Sequence, residues 1–398
     1  MYDLVVVGSG PAGSTCARKA SLAGLDTAIV EKEEHPREKI CGGAIGPRVK
    51  RELGFSIDAI AERKFYSASI CGPEGVNAEL NLQKGTGYIV RRSRFDSYLL
   101  ERAREAGTDV FEDSKTVACE QLRSGVRVLC EGDSFKARLI AGADGFESVV
   151  ARSMKIRDCW QPDEVAIGFA TNVPLEEAII EDASYKDSNG QLGLEIYLGA
   201  INWGYGWLFP RRDEVNIGLG CRSDKADNLR AEWEAFLQKL KRSKRAALEK
   251  SNYEGFRLPF YTRSAKLVSR RTMLLGDAAG LASPITGEGI YYAIRSGTIA
   301  AEVAKETVDM KQAAHVISYE NRISEELGKE LEVQRFIAKT LFQSGERISR
   351  LIRLLSEDKV LRGYAKQIVL GKSSEYLKRK IIQRMITMHP LEAIRFSI

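Results

Sequence analysis

The opening of the chain leaves little choice of fold. Asp3 to Val7 is a short, apolar, valine-rich run that passes directly into Gly8-Ser9-Gly10-Pro11-Ala12-Gly13, and Ser14 to Leu25 (STCARKASLAGL) then reads as a helix. Strand, G-x-G-x-x-G turn and helix, in that order, form the dinucleotide fingerprint of a βαβ unit. Gly8 permits the tight turn, Gly10 lets the backbone approach a pyrophosphate, and Gly13 lets the helix pack closely on the strand. The helix N-terminus then presents free N–H groups to the phosphates. A second strand-like run, Asp26 to Lys32 (DTAIVEK), carries Glu31 eighteen residues beyond Gly13. A carboxylate there accepts hydrogen bonds from an adenosine ribose and repels a 2′-phosphate.

This fingerprint serves NAD and FAD alike, and two later segments separate them. Arg138 to Arg152 (RLIAGADGFESVVAR) is a strand ending in Ala143-Asp144-Gly145 and a turn towards Ser148. Thr272 to Tyr292 (TMLLGDAAGLASPITGEGIYY) delivers Gly276-Asp277 from an apolar strand and then opens a helix at Gly287-Glu288-Gly289. An Asp at a strand's end can accept hydrogen bonds from a polyol such as ribitol, and a glycine-opened helix N-terminus favours negative charge on a reduced isoalloxazine. NAD has no use for this second docking strand; FAD, with its ribitol-flavin arm, does.

The segment from Trp203 to Gly220 (WGYGWLFPRRDEVNIGLG) reads as a hairpin turning at Arg211 to Glu214. Residues two apart share a face of a strand, so Tyr205, Trp207 and Phe209 line one wall, with Pro210 at its end and Gly218 and Gly220 on the return arm. Such a row of rings is ordinary core unless a ligand lies against it.

Seven cysteines are scattered, with no C-x-x-C pair, so neither a disulfide framework nor a metal site is expected and the thiols are read as reduced. Residues 335–398 carry fourteen Lys and Arg against five Asp and Glu, whereas the rest of the chain is slightly acidic. The net charge of +6 is thus concentrated at the C-terminal end, which points to an anionic surface there. No nucleic-acid reader motif accompanies the charge, so a nucleic-acid partner is not expected. Without a secretory signal or an apolar run of the ~18 residues that span a bilayer, the expectation is a cytoplasmic protein.

Taken together, the N-terminal fingerprint, the Asp144-Gly145 segment and the Gly276-Asp277 segment resemble the p-hydroxybenzoate-hydroxylase-type FAD superfamily, and within it the geranylgeranyl reductase family across nearly the whole chain. That family's Tyr-x-Trp-x-Phe-Pro element followed by Gly-x-Gly matches Tyr205, Trp207, Phe209, Pro210, Gly218 and Gly220. Its cysteine motif matches Lys39-Ile40-Cys41-Gly42-Gly43, and its Arg-x-x-Phe-Asp-x-x-Leu segment matches Arg92, Phe95, Asp96 and Leu99. The resemblance implies an α/β Rossmann-like FAD-binding domain in three pieces (1–64, 91–160 and 262–310), an antiparallel-sheet substrate domain (65–90 and 161–261) and a helical C-terminal region (311–398). It further implies that Ala12 and Glu31 touch the ADP half, and that Val117 gives a backbone contact to adenine. Arg92, Asp277, Gly287, Gly289 and Ile290 would hold pyrophosphate, ribitol or flavin, and Cys41, Gly42 and Gly43 would approach the isoalloxazine.

The activity so implied is reduction of isolated double bonds in a polyprenyl chain. Hydride reaches one alkene carbon and a proton the other, with tertiary-cation character if the proton leads. Aromatic faces stabilise such charge by ~0.5–2 kcal/mol per ring in a desolvated site, which gives Tyr205 and Trp207 a role beyond packing. Cys41 is either a proton donor or a small side chain filling space beside the turn. A buried twenty-carbon chain gains ~0.8 kcal/mol per carbon relative to water. A lipid already sits in hydrocarbon, so an enzyme of this kind is expected to work at a membrane surface. The basic segment Tyr376 to Met388 (YLKRKIIQRMITM) puts Leu377, Ile381, Met385 and Met388 on one helical stripe. That stripe either lies on anionic lipid or packs on the body. No second nucleotide fingerprint or iron–sulfur cysteine run is present, so the reductant is external: NADPH, ferredoxin or another carrier, for which Lys244-Arg245 and the basic C-terminal face are possible docking points. The alternatives are a flavin monooxygenase or halogenase on the same platform, or a non-catalytic flavoprotein that binds polyprenyl lipid.

Overall fold

A computed structural model describes residues 1–82, 87–244, 252–370, 372 and 374–396. Arg245 and the side chain of Lys244 lie outside the described residues. An eight-stranded sheet forms the platform. Its strand Tyr2–Val7 lies between Thr27–Val30 and Ser134–Gly142, and Thr272–Leu274 and Asp109–Phe111 extend it on either side, all parallel. Leu4 to Val7 are buried, as the continuous apolar run of a strand covered on both faces demands. Thr116–Gln121 and Val126–Cys130 fold onto Ser134–Gly142 as an antiparallel flap.

In this register Val7 stands beside both Val30 and Gly142, and Gly142 beside Leu274. The residues that follow each strand, Gly8, Glu31, Ala143 and Leu275, therefore leave the sheet at one edge. A parallel sheet binds ligands at the carboxyl ends of its strands, and the chain delivers its nucleotide motifs there. Helix Pro11–Leu22 crosses helix Ile290–Asp309 closely: a Cβ on Gly297 would stand 2.4 Å from the Ala12 carbonyl oxygen.

A seven-stranded sheet stands beside the platform, in the order Glu254–Pro259, Val165–Pro174, Glu214–Arg222, Gly204–Pro210, Leu194–Leu198, Ser67–Cys71 and Asn77–Asn81. All neighbours are antiparallel except Leu194–Leu198 with Ser67–Cys71. The hairpin turns at Arg211, whose N–H donates to Glu214 O at 2.8 Å. Alternation along Gly204–Pro210 divides its contacts. Leu208 packs with Ile217, Leu219 and helix Leu229–Lys244 through Trp233 and Phe236, while Tyr205, Trp207 and Phe209 face the other way. A small sheet of Ala44–Ile45, Gly87–Val90 and Ala61–Phe65 joins the two bodies. Beyond Lys329 the described residues are mainly helical, and helices Gly345–Glu357, Lys359–Val369 and Glu375–Met388 close over the free face of the seven-stranded sheet.

Candidate functional site

One cavity of about 1120 Å³ runs from the nucleotide motifs to the interior of the C-terminal helices. That exceeds the volume of a single drug-sized pocket. At the polar end, Gly8 takes φ +96°, and a Cβ there would stand 2.5 Å from Ala143 O. Gly10 instead opens onto the cavity, with nothing nearer to its Cβ position than Arg37 Nη2 at 3.7 Å. Helix Pro11–Leu22 starts beside it without a side-chain cap, so its first N–H groups remain available to an anion. Glu31 is buried and accepts from Ser9 N–H (2.7 Å), Ser9 Oγ (2.6 Å) and Glu33 N–H (3.2 Å).

Arg92 reaches the cavity from the first turn of helix Arg92–Glu105 and grips Asp96 through two bonds of 2.8 Å. Burial works against its charge, but Asp96 outweighs it and holds the guanidinium firmly protonated. Arg37 lies 3.4 Å from the same carboxylate, which leaves two cations facing the phosphate region. Asp277 stands on the short helix Gly276–Ala279, its Oδ1 3.6 Å from the Cβ position of Gly289. Helix Ile290–Asp309 opens there, again without a side-chain cap. Asp144 accepts from Ser148 Oγ at 2.6 Å and Val150 N–H at 3.0 Å, while burial raises its pKa. Two uncapped helix starts, two arginines and an acid beside a glycine-opened helix fit the pyrophosphate, ribitol and ring of FAD.

The turn Cys41-Gly42-Gly43 lies across the middle of the cavity. A Cβ on Gly42 would approach Phe209 to 2.8 Å and Trp207 Nε1 to 3.2 Å, so this glycine lets the turn press on the rings. Gly43 takes φ +77°, and Gly43 N–H donates to Cys41 Sγ at 3.3 Å. The Tyr205 hydroxyl donates to Thr286 O, and burial, assisted by neighbouring Cys41, raises its pKa so that it stays neutral. Beyond the rings the cavity is apolar, lined by Phe65, Ile70, Leu80, Leu194 and Ile196 and then by Phe342, Leu355, Leu361, Ile381 and Met385.

Most expected residues converge here. Gly8, Gly10, Ala12, Glu31, Cys41, Gly42, Gly43, Arg92, Asp277, Gly287, Gly289 and Ile290 line the cavity, as do Tyr205, Trp207, Phe209 and Gly220. Gly13 stands behind it as a packing residue, where a Cβ would meet Gly8 O at 1.9 Å. Gly218 also works from behind: it pairs with Trp207 across the hairpin, and a Cβ would lie 2.0 Å from Trp207 Cζ2. Pro210 is buried at the end of the strand, off the cavity surface. Val117 does not line the cavity: its side chain is 51% exposed on the outer flap, and the lining passes through Ser114, Lys115 and Thr116. Of the C-terminal stripe, Leu377 and Met385 are each 3% exposed and Ile381 lines the cavity, whereas Met388 is 55% exposed. The stripe therefore packs on the body through Leu377, Ile381 and Met385, and Met388 stays outside that contact.

Two groups went unforeseen. Trp207 Nε1 donates to Asn216 Oδ1 (2.7 Å) and Asn216 Nδ2 to Asn172 Oδ1 (2.7 Å). Arg211 donates to that same Asn172 oxygen (3.1 Å), to Glu214 and to the Cys41 carbonyl (3.2 Å). Separately, Arg48 bridges Glu288 (3.2 Å) and Glu330 (3.0 Å), tying the loop ahead of helix Ile290–Asp309 to the C-terminal helices. Burial raises the pKa of both carboxyls, against the pull of Arg48. Only the Gly287-Glu288-Gly289 spacing hinted at either group.

A family model described as an FAD binding domain matches residues 1–305. A geranylgeranyl diphosphate reductase from Rhodobacter capsulatus is 30% identical over 91% of this chain and 90% of its own. The chain belongs to the geranylgeranyl reductase family. It is an FAD-dependent oxidoreductase of that family. A digeranylgeranylglycerophospholipid reductase from Methanocaldococcus jannaschii is 29% identical over 98% of this chain and 96% of its own. In fold, the chain is similar to a crystal structure of a geranylgeranyl bacteriochlorophyll reductase-like protein from Thermoplasma acidophilum, with a TM-score of 0.83, 24% identity and coverage of 100% and 98%.

Proposed function

We propose that this member of the geranylgeranyl reductase family reduces isolated double bonds in a polyprenyl chain, on a membrane-lipid precursor or related prenyl compound, with electrons from an external donor. The observation that carries the reading is the continuity of the cavity from the nucleotide cradle, past the Cys41 turn and the Tyr205-Trp207-Phe209 wall, into an apolar arm. Bound FAD, once reduced, supplies the hydride.

The protein's own residues do the rest. The apolar arm holds the chain and keeps water away from the reacting carbons. Tyr205, its hydroxyl proton committed to Thr286 O, offers its ring to developing positive charge and is not the acid. Trp207, held by Asn216, offers the second face. Cys41 Sγ accepts from Gly43 N–H, which leaves its S–H proton free to face the alkene. Arg92 and Arg37 balance phosphate charge at the far end.

Anaerobic addition of a geranylgeranyl lipid to the reduced holoenzyme tests this reading. Flavin reoxidation with product heavier by two hydrogens per double bond is expected. Reoxidation only with oxygen, accompanied by a hydroxylated product, would refute it, as would no reoxidation at all.

Membrane contact belongs to the same proposal. Among the described residues no helix is long and apolar enough to cross a bilayer. The inner stripe of helix Glu375–Met388 faces the body, so the apolar groups open to lipid are Ile386, Met388, Leu391 and Ile394, all more than half exposed. The double variant Leu391→Asp/Ile394→Asp is expected to float poorly with anionic vesicles; undiminished flotation removes this surface from the proposal.

A further inference from the structure

Arg211 sits immediately after the Tyr-x-Trp-x-Phe-Pro element and is 3% exposed. Its guanidinium touches both walls of the cavity. One nitrogen donates to the Cys41 carbonyl at 3.2 Å and lies 3.5 Å from the Cβ position of Gly43. The other reaches Asn172 Oδ1, which also accepts from the Asn216 amide that fixes Trp207. An unbroken set of hydrogen bonds thus runs from the indole N–H to the backbone of the cysteine turn. Its four side chains and the turn come from three distant stretches of sequence, so no local rule of turn or strand places the Cys41 turn against the ring.

We propose that Arg211 is a positioning residue that locks the Cys41–Gly43 turn and Trp207 into one rigid wall, setting how the thiol and the ring jointly face the prenyl chain. A planar, forked guanidinium suits the task, because it can hold a carbonyl, an amide oxygen and a carboxylate in fixed directions at once. Lysine has charge without that fork. Glu214 is not stranded when Arg211 is removed, since Arg91 Nη2 lies 3.6 Å from it. The role in turnover rests on the proposed prenyl reduction; the role in holding the turn does not.

The test uses purified holoenzyme carrying Arg211→Met or Arg211→Lys. Two readouts are taken: the rate of Cys41 alkylation by iodoacetamide, followed by peptide mass spectrometry, and kcat and KM with a geranylgeranyl lipid. Arg211→Met is expected to keep its flavin, to change the Cys41 alkylation rate several-fold, and to lose about tenfold or more in kcat with a smaller change in KM, the signature of a misplaced reacting group. Arg211→Lys is expected to recover little, and methylguanidinium added to Arg211→Ala to restore part of the loss. Wild-type alkylation and wild-type kcat in flavin-loaded Arg211→Met would overturn the proposal. If Arg211→Met does not fold, Asn172→Ala, which removes the shared acceptor and leaves the Arg211–Glu214 pair, decides by the same two readouts. A changed alkylation rate in an enzyme inactive towards every prenyl lipid would support the positioning role while refuting the substrate reading.

Discussion

Gly218→Ala tests the ring wall from a position that never touches the cavity. The new methyl would stand 2.0 Å from Trp207 Cζ2 and 2.3 Å from Cε2 and Cη2, where ordinary carbon contacts need about 3.5 Å or more. The ring must therefore retreat by roughly 1.5 Å, the difference between those separations. It cannot do so freely, because Nε1 is tied to Asn216 at 2.7 Å and Phe256 lies 5.9 Å away, centroid to centroid. Overpacking of this kind costs about 1–3 kcal/mol. Loss of the Trp207–Asn216 bond leaves two buried polar groups unpaired and adds about 1–3 kcal/mol. The total, about 2–6 kcal/mol, should lower the thermal midpoint of the holoenzyme by several degrees. A displacement of that size beside the reacting carbons should slow reduction by about 10²-fold. Thermal denaturation followed by flavin fluorescence and single-turnover reoxidation with a prenyl lipid would measure both. Unchanged stability and unchanged turnover would show that the ring neither lies against Gly218 nor shapes the reaction.

Asp277→Ala should yield folded protein that purifies without yellow flavin, read as the absorbance ratio at 450 and 280 nm; full retention of FAD would count against the second docking strand. Cys41→Ser should keep FAD and slow the protonation-linked step, with unchanged single-turnover reduction removing the thiol from the chemistry. Asp358 caps helix Lys359–Val369 through Val360 and Leu361 N–H and also binds Arg384 (2.8 Å) and His389 (2.9 Å). Burial pushes its carboxyl up, but these partners outweigh burial and hold it below the ordinary range. The stabilisation is therefore complete above the unfolded carboxyl pKa of about 3.9 and is lost as pH falls through the lower folded value. Proteolysis of the C-terminal helices should accelerate below about pH 4 in the wild type, and at neutral pH in Asp358→Asn; equal resistance of that variant at neutral pH would refute the assignment.

What could be read in advance divides by range along the chain. The first fingerprint was plain because strand, turn and helix are contiguous, and the hairpin was plain because alternation and turn residues act over a few positions. The duty of Gly218 and Gly220 was not, since a glycine signals missing bulk without saying whose ring fills the space; here it is Trp207 and Phe256. Arg211, Asn172 and Asn216 carry no local pattern at all, and only sheet register brings Asn172 opposite Asn216. The apolar stripe of Leu377, Ile381 and Met385 was visible as a stripe, yet amphipathicity is silent on what will cover it. The expected part of Val117 is a backbone contact, which side-chain alternation does not touch: along Thr116–Gln121 that alternation turns the Val117 side chain outward and leaves Thr116 on the lining.

The far end of the cavity is built from the last part of the chain, through Ile381 and Met385, while its nucleotide end is built from the first. The depth of the apolar arm is thus measured from the Cys41 turn, near the start of the sequence, to a stop at Ile381 and Met385, 340 residues or more later. If the arm holds the prenyl chain as proposed, a bulkier residue at Ile381 or Met385 shortens the longest chain admitted and leaves FAD affinity unchanged. On that proposal, the last helices set chain-length selectivity separately from the nucleotide end of the molecule.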